Sequence, residues 1–356
     1  MNSSKTRRFN FEDLKRFSVA LLNATGVDDE KSTVISEVLI EGDLLGHSTH
    51  GLQLLAPYLS DIEKGLMKKT GQPIVISDLP AAVAWDGDRL PGTWLTAKAI
   101  DLATDRAKKF GACSLTIARG HHIACLAAYL TRATDQGLVI IIMSSAPENN
   151  SVAPFGAKSG VITPNPIAAG WPTSGDPVLI DVSTSITTNG MVGRLKNENG
   201  KLPGDWLINS NGQPTNDPHS IIGSLGALLP IGGIQYGHKG YALGLLVEAL
   251  TQGLSGHGRA DPVEGWTGEV FLQAFDPRMF GGIENFLRQT SWVANACKQA
   301  DPIDANDPVR LPGERGLKLK REQIKSGIIL RDSIVSPLID WARKLGVEPP
   351  KTIDER

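Results

Sequence analysis

Of the seven histidines in this chain of 356 residues, His47, His50, His121, His122 and His238 stand beside glycine-rich turns rather than inside apolar runs. An imidazole ionises near pH 6.5, so it can give a proton to a carbonyl oxygen as a hydride reaches the adjacent carbon, then regain that proton near neutrality. His47 and His50 lie in GHSTHG, His121 and His122 in RGHHIA. Asp181 closes the apolar run 178–180 and opens the hydroxyl-rich sequence Asp181-Val182-Ser183-Thr184-Ser185. A carboxylate there can orient a histidine and support its charged form. It can equally cap the turn, and the local sequence permits both readings.

The same histidines allow other chemistry. His47 and His50 form an HxxH pair and His121 and His122 are adjacent, so a zinc-dependent hydrolase is one rival reading. A non-catalytic binding protein is the other. Cys113, Cys125 and Cys297 have no CxxC spacing and are expected as reduced, small core residues, with no metal site. No GxGxxG follows a strand, which disfavours a standard Rossmann site. The glycine-rich GGIQYGHKG has His238 where a phosphate loop needs lysine directly after glycine, and no Ser or Thr follows Lys239. A P-loop NTPase is excluded.

The elements that must position these residues follow from periodicity. Asn10 is expected to cap a helix that turns Leu14, Phe17, Leu21 and Leu22 inward and stops at Gly26; a second runs over 29–45 and a third over 52–64. GHSTHG then falls in the turn between the second and third. From residue 73 the texture alternates: strands over 83–85, 114–117 and 138–143, helices over 95–110 and 123–136. Residues 147–218 are rich in Gly, Pro, Asn, Ser and Thr, and predict long loops of the kind that carry sites. A helix over 239–254, a strand over 269–275, a helix over 283–299 and a basic helical segment over 318–345 complete the chain. The expected organisation is one subdomain from 1–72 and 301–356, and a cofactor-binding α/β core from 73–300.

Bulk properties agree with a globular enzyme. The chain is 41% hydrophobic and 21% charged, and its net charge of -2 from 36 basic and 38 acidic residues gives no footprint for nucleic acid or an anionic membrane. The basic N-terminus lacks a following apolar stretch, so no secretory signal is expected and the location is expected to be cytoplasmic. The apolar run 241–250 is too short to cross a bilayer of about 30 Å.

The segments GHSTHG, RGHHIA, VAPFGA, NPIAAGWP, IDVSTS, NGQPTNDP, GHKGYAL and LPGE occur in an order and approximate spacing that resembles the malate/L-lactate dehydrogenase family lacking a Rossmann domain. That group includes ureidoglycolate dehydrogenase, diketogulonate reductase, piperideine-2-carboxylate reductase and sulfolactate dehydrogenase. Bacterial hydroxycarboxylate dehydrogenases share the doubled histidine and the PGE segment followed by basic residues. The resemblance implies an α/β fold with a mostly antiparallel central sheet, flanking helices and helical terminal segments, commonly assembled as a homodimer. It implies hydride transfer between NAD or NADP and a small 2-hydroxy or 2-oxo acid.

Position by position, the resemblance makes His50 in Thr49-His50-Gly51 the proton donor, Asp181 its partner and His122 the second active-site histidine. Ser183, Thr184 and Ser185, then His238 and Lys239, then Pro312, Gly313 and Glu314 correspond to cofactor contacts. A helix beginning at about Lys239 would also offer free amides and a cation to a pyrophosphate. Two positions depart from the pattern: Leu54 replaces an arginine four residues after the histidine, and Pro164 replaces threonine before Asn165-Pro166. The usual carboxylate clamp is therefore absent at both. Arg119 is a candidate substitute, since guanidinium binds carboxylate bidentately; the other reading is a monocarboxylic substrate with an apolar side chain beside Leu54.

Overall fold

The computed structural model describes residues 6–221 and 225–353. Eleven helices are found there: α1 (Phe11–Ala24), α2 (Asp29–Leu44), α3 (Leu55–Glu63), α4 (Gly92–Phe110), α5 (Ala127–Thr134), α6 (Asn189–Asn197), α7 (Gly233–Tyr236), α8 (His238–Glu248), α9 (Ile283–Gln299), α10 (Glu314–Ser326) and α11 (Asp332–Leu345). The Asn10 side chain accepts the amides of Glu12 and Asp13, and the Asp28 side chain accepts that of Lys31. Each cap satisfies first-turn donors that the helix itself leaves free. Helix α2 ends at Leu44, and Gly46 follows with φ +88°, a conformation that side chains resist. The chain then makes two short 3-10 turns, Ser48–His50 and Leu52–Leu54, before α3.

The strands are β1 (Thr6–Phe9), β2 (Ile74–Leu79), β3 (Ala82–Asp86), β4 (Ala112–Gly120), β5 (Val139–Ser145), β6 (Ile167–Trp171), β7 (Val178–Val182), β8 (Leu207–Ile208), β9 (Pro214–Thr215), β10 (Ala227–Leu228), β11 (Gly268–Phe275) and β12 (Ile328–Arg331). Seven of them form the central sheet in the order β2-β3-β4-β11-β5-β6-β7. Only β3 and β4 run parallel, joined by α4 as a crossover; all other neighbours in the sheet are antiparallel. The mixed α/β fold with a mostly antiparallel sheet is thus as expected.

One large core runs through this architecture. It joins Leu21 and Leu39 of the first two helices, Tyr58 of α3, Ile100 of α4, Leu115, Ile142 and Leu272 of the sheet, and Leu338 of α11. The terminal segments also meet directly, because β1 pairs antiparallel with β12 from Thr6↔Arg331 to Phe9↔Ile328. The segments expected over 1–72 and 301–356 extend past the described residues at 1–5 and 354–356. Among the described residues no helix is long and apolar enough to cross a membrane.

Several local expectations change. The helix expected over 123–136 begins only at Ala127, since Ala124 adopts φ +59° and breaks helical geometry before it. The basic segment over 318–345 is two helices separated by β12, with Gly327 at φ +97° making the break. The helix expected to reach 254 keeps α-helical form to Glu248 and widens into a π-helical turn, Ala249–Gly253. Cys113 and Cys125 are buried, whereas Cys297 is exposed on α9 and is no core residue.

Gly92, at the start of α4, shows how closely the fold supports the histidine segment: a Cβ built there would overlap the carbonyl of His121. Gly92→Ala is expected to lower stability by about 1–3 kcal/mol, the usual cost of overpacking. Urea denaturation checks this, and an unchanged midpoint would contradict the packing.

Candidate active site

The turn carrying His50 is set from below by Asp43. Its buried carboxylate accepts the Leu52 amide at 2.7 Å, and a Cβ on Gly51 would collide with that carboxylate, so the tight approach requires glycine. Burial raises the Asp43 carboxyl to about 7. Above it, Thr49 Oγ1 lies 2.9 Å from His50 Nδ1, which leaves Nε2 for the cavity. Gln323 of α10 donates to the Asp43 and Leu44 carbonyls at 3.1 and 3.2 Å, tying the C-terminal helices to the end of α2.

The second histidine pair divides its duties. His121 is fully buried, with Nε2 3.0 Å from Asp61 Oδ2, and faces the core. His122 lines the cavity. The Ala124 amide donates to its Nδ1 at 3.2 Å and Tyr58 Oη lies 2.8 Å from the same atom. A nitrogen that accepts from an amide carries no proton, so His122 is the Nε2–H tautomer. Its ring lies nearly parallel to that of His50, centroids 6.0 Å apart.

Burial shifts both rings toward the neutral form. Burial lowers His50, opposed by the Asp181 charge and assisted by His47. Burial also pushes His122 down to about 3, with His50 and His121 adding repulsion.

Asp181 ends β7 beside them. Its Oδ2 accepts the Ala127 amide at 2.8 Å and the Cys125 thiol at 3.6 Å, so it caps α5. Asp181 acts on the His50 ring through its charge, which favours the protonated form. His47, Cys125 and Asp181 place ligand-type atoms within 4.8 Å of one another. Burial raises the Cys125 thiol well above its ordinary range, so it holds its proton and serves as a donor there.

These groups line one cavity of about 470 Å³. Thr49, His50, Leu54, His122, Asp181 and Ser183 all face it, joined by residues that the sequence did not single out: Gln53, Ser145, Glu148 and Trp266. Arg119 does not. It turns outward at φ +52° and pairs its guanidinium with Asp86, so it supplies no cation to the cavity.

Two of the three expected cofactor segments meet. The Ile231 amide donates to the Thr184 carbonyl at 2.9 Å, and Gly240 packs so closely that a Cβ would strike the Ile231 backbone and the Thr184 carbonyl. This seats the start of α8, with His238 and Lys239, against Ser183–Ser185. Thr184 and Ser185 are themselves buried, their hydroxyls donating to the carbonyls of Pro164 and Thr187. Lys239 has no carboxylate partner among the described residues; its ammonium lies 5.6 Å from the Tyr236 ring centre. The free cation fits a dinucleotide phosphate, whereas the Gly240 amide, expected to be free for it, is given to the Ile231 carbonyl at 3.2 Å. Pro312 is farther along β7, accepting from the Leu179 amide at 3.1 Å, and Glu314 is paired with Lys298. The step from Leu179 to Ser183 spans roughly 13 Å of extended chain.

Comparison with known proteins places these features in a wider group. The family described as malate/L-lactate dehydrogenase matches residues 9–339. The malate dehydrogenase of Pyrococcus abyssi is 29% identical over 346 residues, covering 95% of this chain and 94% of that one. The malate/(S)-sulfolactate dehydrogenase of Methanothermus fervidus is 29% identical over 344 residues, covering 95% and 98%. The solved malate dehydrogenase of Pyrococcus horikoshii superposes with a TM-score of 0.87 at 27% identity, covering 97% of each chain.

The lowered His122 has a consequence for stability. Between about 3 and the ordinary 6.5 the unfolded chain binds more protons at this residue than the folded one, so folding weakens as pH falls through that window. His122→Gln removes this contribution. The stability advantage of wild type over the variant should therefore shrink from about pH 7 to about pH 4 in denaturant titrations; a difference independent of pH would contradict the buried neutral ring.

Proposed function

The chain belongs to the malate/L-lactate dehydrogenase family, and on that footing we propose that it interconverts a small 2-oxo acid and its 2-hydroxy acid with NAD or NADP. The observation that carries this reading is the pair of imidazoles, His50 and His122, facing one cavity beside the Asp181 carboxylate. When bound, the reduced dinucleotide supplies a hydride to C2 of the oxo acid. His50 in its imidazolium form, which the Asp181 charge favours against burial, gives its Nε2 proton to the oxygen on that carbon and is left neutral. His122 donates a hydrogen bond from Nε2 to the same oxygen. In the reverse direction neutral His50 takes the hydroxyl proton; burial, which lowers its proton affinity, keeps that form available near neutrality.

Ser183–Ser185, His238 and Lys239, and Pro312–Glu314 are proposed as the cofactor contacts, a binding mode without a Rossmann fingerprint. Lys239 meets phosphate there. Leu54 is 8% exposed and borders the cavity. A second substrate carboxylate against it would lose water without a partner, at a cost of several kcal/mol. Oxaloacetate is therefore the poorer substrate, and a monocarboxylic acid with an apolar arm the better one.

A homodimer is also proposed. Between Gly240 and Val247 helix α8 is apolar on all sides, yet Leu243, Leu245 and Leu246 are exposed at 44–46%, and on α9 Trp292 is exposed at 68%. An all-round apolar helix is stable in water only when covered. Sedimentation should give twice the mass of one chain, with Leu245→Glu shifting it to the monomer; a wild-type monomer would contradict the assembly.

His50→Ala should lower turnover by roughly two to four orders of magnitude, the usual scale of acid-base catalysis. Unchanged turnover there, with the loss appearing in His122→Ala instead, would reverse the two roles. Lys239→Ala should weaken dinucleotide binding by about 1–3 kcal/mol. An unaltered affinity by titration would reduce Lys239 to a helix-start residue.

A further inference from the structure

Resting on that reading, we propose that Glu148 and Trp266 form a subsite for a positively charged group at the far end of the substrate's side arm. The two residues lie just beyond paired strands: Trp266 two residues before β11 and Glu148 three residues after β5, whose ladder ends at Glu269↔Ser145. The Thr267 hydroxyl donates to Glu148 Oε2 at 2.7 Å, which ties the two segments together beside the cavity that both residues line.

The subsite is built on both sides. Arg259 donates to the carbonyls of Ala146, Pro147 and Asn149, gripping the loop that carries Glu148. Its charge is taken by Glu248, at 2.9 Å. Arg89 holds the other side, donating to the carbonyls of Leu66 and Glu264, both at 2.7 Å. Trp266 then lies with its ring centre 5.2 Å from that of His122.

Charge decides the ligand. Glu148 and Asp181 are the carboxylates lining the cavity, and neither lysine nor arginine lines it among the described residues. Asp181 is already engaged by Ala127 and Cys125, whereas Glu148 has no cationic partner among the described residues. The 2-oxo acid brings one negative charge at C1. A second carboxylate would add repulsion, a neutral tip would leave Glu148 unpaired, and an ammonium or guanidinium tip would meet both the carboxylate and the indole face. Leu54, Ile123 and Leu126 supply the apolar wall for the methylene stem of such an arm.

The test compares three 2-oxo acids of similar arm length with the holoenzyme: 5-guanidino-2-oxopentanoate, 2-oxooctanoate and 2-oxopimelate. Wild type should show kcat/KM about tenfold higher for the guanidino acid than for the alkyl acid, with the diacid lowest. In Glu148→Gln, which keeps an acceptor for Thr267, the guanidino-to-alkyl ratio should fall to about one; in Glu148→Lys the diacid should overtake the guanidino acid. Turnover of the three without preference for the cation, or ratios unchanged by both substitutions, would overturn the subsite alone. Reduction of none of them would overturn the proposed reaction and the subsite with it. Because only ratios are compared, general damage to the fold cancels.

Discussion

The hydrogen bond from the Ala127 amide to Asp181 is the contact on which the candidate site depends. It fastens the start of α5 to the end of β7, and so fixes the downstream end of the passage from His121 to Leu126, whose upstream end is held by the His121 amide on the Leu90 carbonyl. Without that anchor, Ala124 would have little reason to stay at φ +59°, a conformation costing about 1 kcal/mol or more. The Ala124 amide could not then meet His122 Nδ1, and the tautomer of that ring would be free to change. The same carboxylate sets the field around His50. A single acidic residue thus joins the sheet, the helix and the proton chemistry.

Around this anchor, desolvation sets the electrostatics. His50, His121 and His122 are all shifted toward the neutral form by burial, and Asp43 beneath them toward the protonated form. A cavity that suppresses charge in its own walls makes the few remaining charges more influential. Asp181 and Glu148 lie on different parts of that wall, one near the proton-transfer groups and one beside Trp266. The first bears on reaction and the second on selection, a division that the replacement of the expected arginine by Leu54 makes sharper.

Much of this was legible in the chain. Asn10, the apolar stripe of α1 and Gly26 announced the first helix, and alternating strand and helix signals announced the α/β core. Of the turn histidines, His47, His50 and His122 reach the cavity, as do Asp181 and Leu54. What failed to show depends on distant partners. The strand Thr6–Phe9 reads as a short polar stretch until Ile328–Arg331, more than 300 residues away, pairs with it. Arg119 reads as an available cation because nothing in RGHHIA reveals Asp86. Asp181 offered two local readings, support of a histidine and capping of its own turn; its carboxylate instead caps the distant helix α5, with the electrostatic influence on His50 beside it. Glu148 and Trp266 carried no motif, although an acid in a proline- and asparagine-rich loop and a lone tryptophan between glycines were the available signals.

The central claim is that hydride passes between a nicotinamide and C2 of an acid held in this cavity. Incubation with reduced cofactor deuterated at nicotinamide C4, on one face and then on the other, followed by mass and NMR analysis of the product, measures that transfer. One deuteron at C2 of the 2-hydroxy acid, from one face only, is the predicted result. A 2-hydroxy acid without deuterium from either face, or its absence alongside hydrolysis of the substrate, would contradict it.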